Sequence, residues 1–196
     1  MSTAPIRLNT PIDEAQLRSL KCGDQVLLSG IIYTARDAAH KYLAGEQAVL
    51  PSEIQLRGGV VYHCGPVMVN ENGKWRVTAA GPTTSAREEP YMATVIEKYG
   101  LRAIIGKGGM GEKTLAACRQ FGCVYLSATG GAAQLLADAV KEVPEVHFLE
   151  EFGSPEAMWT MRVIDFPAVV TMDTHGNNIH RDVLQHSQAN LNSLLD

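Results

Sequence analysis

Two strand–glycine–helix units in tandem constrain this chain more than any other feature. Arg102-Ala103-Ile104-Ile105 is a short apolar run that passes through Gly106-Lys107-Gly108-Gly109-Met110-Gly111 into a helical pattern over Glu112–Phe121. Val124–Ser127 then passes through Gly130-Gly131 into a second helical pattern over Ala132–Val143. Strands joined through a helix lie parallel, with a right-handed crossover in nearly all cases. Upstream, Gln25–Ile32 predicts a strand, and Thr34 predicts the cap of a helix that runs through Tyr42 and stops at Gly45. The fold class is therefore α/β.

The remaining segments mix in antiparallel signals. Thr10-Pro11-Ile12-Asp13-Glu14 predicts a helix start with Thr10 as cap, ending near Lys21. Pro51–Gly59 is a loop and Val60–Cys64 a strand. Val67–Val69 and Trp75–Thr78 flank Asn70-Glu71-Asn72-Gly73, a hairpin signal. A helix is predicted over Ala86–Tyr99, strands over Val146–Leu149, Met161–Ile164 and Ala168–Met172, and a helical turn at Ser154-Pro155-Glu156. With 196 residues, 45% of them hydrophobic, the chain can bury one core. The expectation is a single domain over 1–196, with a mixed sheet or irregular barrel and a polar tail from about residue 181, helical or frayed.

Three junctions carry cations among small residues. They are Thr34-Ala35-Arg36-Asp37-Ala38-Ala39-His40-Lys41, Gly81-Pro82-Thr83-Thr84-Ser85-Ala86-Arg87 and Gly106-Lys107-Gly108-Gly109-Met110-Gly111. Backbone N–H groups at a helix start attract anions, an Arg grips a carboxylate with two parallel hydrogen bonds, and a Lys adds a mobile point charge. Together they point to a site for a small dianion, a dicarboxylate. One of Thr83, Thr84 and Ser85 serves as a cap; three hydroxyls exceed that need, and the surplus faces substrate. His40 is a packing histidine, since its spacing gives acid–base work no support.

Other readings are weaker. Gly106–Thr114 misses the phosphate-binding P-loop because Glu112 intrudes between Gly111 and Lys113, placing an acid where phosphate charge gathers. Ala128-Thr129-Gly130-Gly131 fits close packing as well as ligand contact, and Asp173–Asn178 fits a tight turn better than a metal loop. Cys22, Cys64, Cys118 and Cys123 lack C-x-x-C spacing and are expected to be small buried hydrophobes, with no metal held by this chain. A net charge of −4 gives nucleic acid binding no support, and no apolar stretch is long enough to cross a bilayer. Met1–Arg7 lacks a basic segment followed by an apolar core, which places the chain in the cytoplasm.

These same motifs, with Asp173-Thr174-His175-Gly176-Asn177, resemble the C-terminal half of class I iron–sulfur fumarases and the separate β subunits of two-subunit fumarases and L-tartrate dehydratases. The likeness runs from about Thr10 to Asn178. It implies a swivelling β/β/α domain in a hydro-lyase that interconverts fumarate and (S)-malate. The [4Fe–4S] cluster would be held by a partner α subunit, in a hetero-oligomer with a homodimer of β. It also implies that Arg36, Arg87 and Lys107 clamp the two carboxylates, that Thr84, Ser85 and Gly108 line the substrate, and that Thr83, with Arg87 and Lys107, does the catalytic work. Thr34–His40 looks closer to the fumarase form than to the tartrate form. L(+)-tartrate dehydration is the alternative activity, and a non-catalytic dicarboxylate-binding regulatory domain is the alternative of another class.

Overall fold

Burial with a period of two along short apolar strands gives the sheet two different faces, and each face builds its own core. The computed structural model describes residues 4–195; Met1–Thr3, where the N-terminal leader reading begins, and Asp196 of the polar tail lie outside the described residues. The strands are β1 (Ile6–Asn9), β2 (Gln25–Thr34), β3 (Val60–Tyr62), β4 (Val67–Glu71), β5 (Lys74–Ala79), β6 (Ala103–Gly106), β7 (Val124–Ser127), β8 (Val140–His147) and β9 (Met158–Met172). The helices are α1 (Glu14–Ser19), α2 (Asp37–Ala44), α3 (Glu89–Tyr99), α4 (Glu112–Phe121), α5 (Ala133–Asp138), α6 (Leu149–Phe152) and α7 (Ile179–Leu195), with a 3₁₀ turn at Ser85–Glu88.

Strands β2, β3, β6 and β7 run parallel, as their helical crossovers require. Strand β9 pairs antiparallel with both β7 and β2 and closes the five into a barrel-like ring. This is the mixed α/β barrel expected from the sequence. β1 extends the ring beside β2, and β8 beside β9. Val60, Tyr62, Ala103, Ile105, Val124 and Leu126 point to one core, shared with Trp159 and Phe166 of β9. The alternate residues Val61, Ile104 and Tyr125 point the other way, against Ala39 and Leu43 of α2, Met92 and Ile96 of α3, and Leu115 and Cys118 of α4. The β4–β5 hairpin turns at Asn72-Gly73, both with positive φ (54° and 82°), the two-residue turn the sequence signalled.

Several boundaries differ from expectation. Asp13, not Thr10, caps α1, its Oδ1 accepting from Ala15 N at 2.9 Å. Thr10 Oγ1 instead accepts from Ile31 N at 2.6 Å. Thr34 belongs to β2 and caps nothing: its buried hydroxyl donates to Ala157 O at 3.2 Å and accepts from Trp159 N at 2.9 Å. The helix predicted over Ala132–Val143 ends at Asp138 and hands over to β8. The strand predicted over Val146–Leu149 covers only Val146 and His147, and Leu149 starts α6. The two C-terminal strands are one, β9, kinked at Asp165 (φ 51°), whose N–H donates to Ser29 Oγ at 3.0 Å. The polar tail is helical.

Ring closure rests on the large side chains of β9. Phe166→Ala, which empties a fully buried position against Tyr62, is expected to cost about 3–5 kcal/mol. An unchanged urea midpoint would show that β9 does not hold the ring.

Candidate active site

The carboxyl ends of β2, β3 and β6 lie side by side, and ligand crevices of α/β sheets form at such ends. Arg36 follows β2, Gly65 follows β3 and Lys107 follows β6. The segment Thr83–Ser85 is laid across them. Thr83 N donates to His63 O at 2.7 Å, Ser85 N donates to Lys107 O at 3.1 Å, and Thr84 bridges in parallel to Lys107. The result is a cleft of ≈ 400 Å³ lined by Arg36, Gly65, Gly81, Pro82, Thr83, Thr84, Arg87 and Lys107.

The cations in this cleft differ in how they are held. Arg36 Nε lies 3.3 Å from Glu156 Oε1, and the other oxygen of that carboxylate accepts from Ala38 N at 2.9 Å in the first turn of α2. A Cβ on Gly65 would come within 2.7 Å of Arg36 Nη1 and of Pro155 O, so only glycine lets the guanidinium lie across this point. Arg87 Nη2 donates to Thr83 Oγ1 at 2.8 Å and lies 3.2 Å from Asp37 Oδ2. Lys107 forms no ion pair among the described residues.

Two residues assigned to the site from the sequence stand elsewhere. Ser85 is fully buried; its Oγ accepts from Tyr125 OH at 2.8 Å and shares a hydrogen bond with His63 Nδ1 at 2.8 Å, so its hydroxyl is spent inside the fold. Gly108 lines a separate groove between the glycine loop and α7, with Asn178, His180 and Arg181. The P-loop reading fails for a reason visible here: the Glu89 carboxylate sits on the N-terminus of α4. It accepts from Gly111 N at 2.7 Å, Lys113 N at 3.1 Å and Thr114 Oγ1 at 2.7 Å, filling the place a phosphate would take.

The whole chain can be compared with known proteins at this point. The sequence model described as "Fumarase C-terminus" matches residues 1–183. This chain belongs to the fumarase C-terminus family. It is 57% identical over 183 residues to a protein of Geobacillus stearothermophilus provisionally named fumarate hydratase class I, covering 93% of this chain and 35% of that protein. It is 41% identical over 186 residues to a provisionally named L(+)-tartrate dehydratase subunit beta of Methanocaldococcus jannaschii, covering 94% and 95%. It is 38% identical over 173 residues to L(+)-tartrate dehydratase subunit beta of Escherichia coli K12, covering 88% and 85%. The chain thus spans about a third of the first relative and most of the other two.

Iron–sulfur enzymes in this family raise the question of whether this fumarase C-terminus chain has ligands for a cluster. Its four thiols do not gather at one point: Cys118 and Cys123 touch each other in the core beneath the helices, Cys64 packs in the core shared with β9, and the Cys22 N–H donates to Asp173. Burial pushes the Cys64 thiol up to about 12, far from the thiolate a metal needs. Among the described residues no three His, Cys, Asp or Glu side chains are grouped to hold a metal ion. The donor set does not fit a cluster. Asp173 itself organises a turn, accepting from His175 N at 2.9 Å and Asn177 N at 3.0 Å.

Sequence reasoning missed the anions around the cleft. Asp37 lies within the Thr34–Lys41 motif, but its spacing does not reveal Arg87 as its partner; Glu156 is remote in sequence and gives no signal. It also missed Glu88, which is fully buried with neither carboxylate oxygen hydrogen-bonded among the described residues. Burial, then the nearby Asp37 charge, hold its carboxyl up to about 7. A solvated glutamate releases its proton near 4.5. Between those values the folded state binds more protons than the unfolded, so stability falls as pH rises through that window and then levels off. Glu88→Gln is expected to remove this fall, with the variant gaining on the parent between pH 5 and pH 8 in urea midpoints. Parallel pH curves would show that Glu88 does not hold its proton.

Proposed function

We propose that this chain, acting as one domain in the cytoplasm, is the β subunit of a two-subunit hydro-lyase that hydrates fumarate reversibly to (S)-malate. The observation that carries the reading is one cleft lined by Arg36, Arg87, Lys107, Thr83 and Thr84. Two arginines and a lysine match the two carboxylates of a small dianion. The [4Fe–4S] cluster belongs to the α subunit.

The residues of this chain account for charge and proton. Removing a proton from the carbon beside a carboxylate puts negative charge on that carboxylate, and fixed cations stabilise the charge without reorganising. Thr83 Oγ1 is the proton-handling group. A threonine hydroxyl is a weak base, and the Arg87 N–H donated to it at 2.8 Å supports negative charge on that oxygen. Fumarate is favoured over tartrate by the greater likeness to the class I fumarate hydratase. L(+)-tartrate dehydration is retained as a second reading because the tartrate β subunits match this chain in length.

The deciding experiment is anaerobic assay of the purified α–β complex against fumarate, malate and both tartrates. Turnover of fumarate is expected, with the isolated chain inactive and colourless; a brown, active preparation of this chain alone would overturn the subunit reading. Turnover of L(+)-tartrate alone would select the second reading, and binding without turnover of any of them would leave a regulatory domain.

Neutral replacement of Arg36, Arg87 or Lys107 is expected to cut kcat/KM by roughly 10²-fold or more, as for loss of a transition-state contact. Arg87→Lys should fail as well, because an ammonium cannot reproduce the fork of bonds to Thr83 and a carboxylate. Full activity in these variants would remove the cleft from the mechanism.

A further inference from the structure

Three buried polar side chains with unpartnered atoms adjoin the cleft, and each is tied to the backbone of a cleft residue. Glu88 is the residue after Arg87. His40 Nδ1 donates to Arg36 O at 2.9 Å, which leaves Nε2 as a bare acceptor. His63 accepts the Thr83 N–H at its carbonyl, its Nδ1 is hydrogen-bonded to Ser85 Oγ, and its Nε2 has no partner among the described residues. All three side chains are fully buried. The His40 and His63 rings meet edge to face at 4.7 Å, and His40 Nδ1 lies 3.6 Å from Glu88 Oε2. Leaving several buried polar atoms unpaired in one place is costly, and such sites concentrate where function needs them.

The charges facing Glu88 come from every side of it. Asp37 and Arg36 approach from the start of α2, Arg87 from the 3₁₀ turn and Glu156 from the loop before β9. Asp37 and Glu156 hold a proton on Glu88, while Arg87 and Arg36 draw it off. The two histidines do not compensate: burial lowers His40 to about 4 and His63 well below the usual histidine range. Glu88 is the member of the cluster free to change charge near neutrality.

We propose that Glu88 is a positioning residue for the anion cleft, protonated whenever a dicarboxylate is bound, so that binding the dianion and taking up one proton at Glu88 are a single linked event. The inference rests on the dicarboxylate reading of the cleft. A bound dianion adds negative potential and occupies the guanidinium groups of Arg36 and Arg87, the two charges that favour ionised Glu88. Both effects raise its affinity for a proton, which comes from solvent. By reciprocity, losing that proton weakens dianion binding, because an ionised Glu88 adds a buried negative charge beside the dianion and offsets the positive field of Arg36 and Arg87. The field of Arg36 and Arg87 is then at full strength for ligand only while Glu88 is neutral.

The test is calorimetric titration of succinate, an unreactive dicarboxylate, into the full chain and into its complex with the α subunit, from pH 6 to pH 9. Each pH is repeated in buffers of different ionisation enthalpy. The parent protein should lose affinity by up to about tenfold per pH unit above neutrality and take up as much as one proton per succinate bound. Glu88→Gln should bind succinate at alkaline pH as tightly as the parent does at pH 6, with no proton uptake assigned to this site. Glu88→Met, of similar size and without charge, gives the same expectation if the amide does not fold. Succinate binding by the parent with flat affinity and no proton uptake overturns this inference and leaves the dicarboxylate reading standing. Absence of succinate binding at every pH, in the chain and in the complex, overturns both.

Discussion

The cleft depends on how closely the backbone of Thr83–Ser85 can approach the end of β6. A Cβ at Gly106 would collide with Ser85 Oγ and lie 2.8 Å from Tyr125 OH. Glycine at that strand end lets the segment lie flat, where Ser85 N reaches Lys107 O and Thr83 N reaches His63 O. Those two backbone bonds set Thr83 and Arg87 opposite Arg36 and Lys107. Ser85, whose hydroxyl is surplus to a cap by sequence, is the buried anchor of this contact, held between His63 and Tyr125. A side chain without a role in the cleft is therefore among those that create it.

The sequence was most legible where local chemistry and tertiary demand agree. Strands β2, β3, β6 and β7, the Asn72-Gly73 hairpin turn and helices α3 and α4 follow from periodicity, positive-φ residues and glycine stops at Gly100 and Gly122, both left-handed. It misled where a distant partner changed a residue's task. Thr34 has the look of a cap, but β9 claims its hydroxyl. Val140–His147 carries Lys, Glu and a proline, which argues against a strand in the middle of a sheet; β8 lies at the sheet's end, where charge and proline are tolerated. Asp165-Phe166-Pro167, between the two predicted C-terminal strands, is absorbed by the ring as a kink within β9.

The site was legible to the same degree. Arg36, Arg87, Lys107, Thr83 and Thr84 stand out as cations and hydroxyls at glycine-rich junctions, and a junction is a local feature. Ser85 and Gly108 belong to the same motifs, but which side of a strip faces solvent depends on what packs behind it. Glu156 lies 118 residues from Ala38, the N–H it accepts, and no spacing rule reaches so far. Glu88 is harder still, since a glutamate beside an arginine at a helix start looks like a solvated pair until the fold buries one of them.

Charge balance in the cleft separates the two arginines by function. The pair between Arg87 and Asp37 has both side chains 45% exposed, and exposed pairs of this kind contribute only about 0.2–1 kcal/mol. A ligand carboxylate could displace Asp37 at little cost, so on the proposed dicarboxylate reading Arg87 would be the adjustable grip. Arg36 is 23% exposed, lies across Gly65 and faces a Glu156 that is itself fixed to the first turn of α2. Removing Glu156 would disturb both the arginine and the helix start, so on the proposed reading this pair would stay together and Arg36 would be the fixed grip. One rigid and one yielding guanidinium suit a substrate whose two carboxylates change unequally during reaction. The carboxylate next to the reacting carbon gains charge while the other only anchors. On the proposed dicarboxylate reading, Thr83, bonded to the yielding arginine, would stand at the reacting end and the anchoring carboxylate at Arg36.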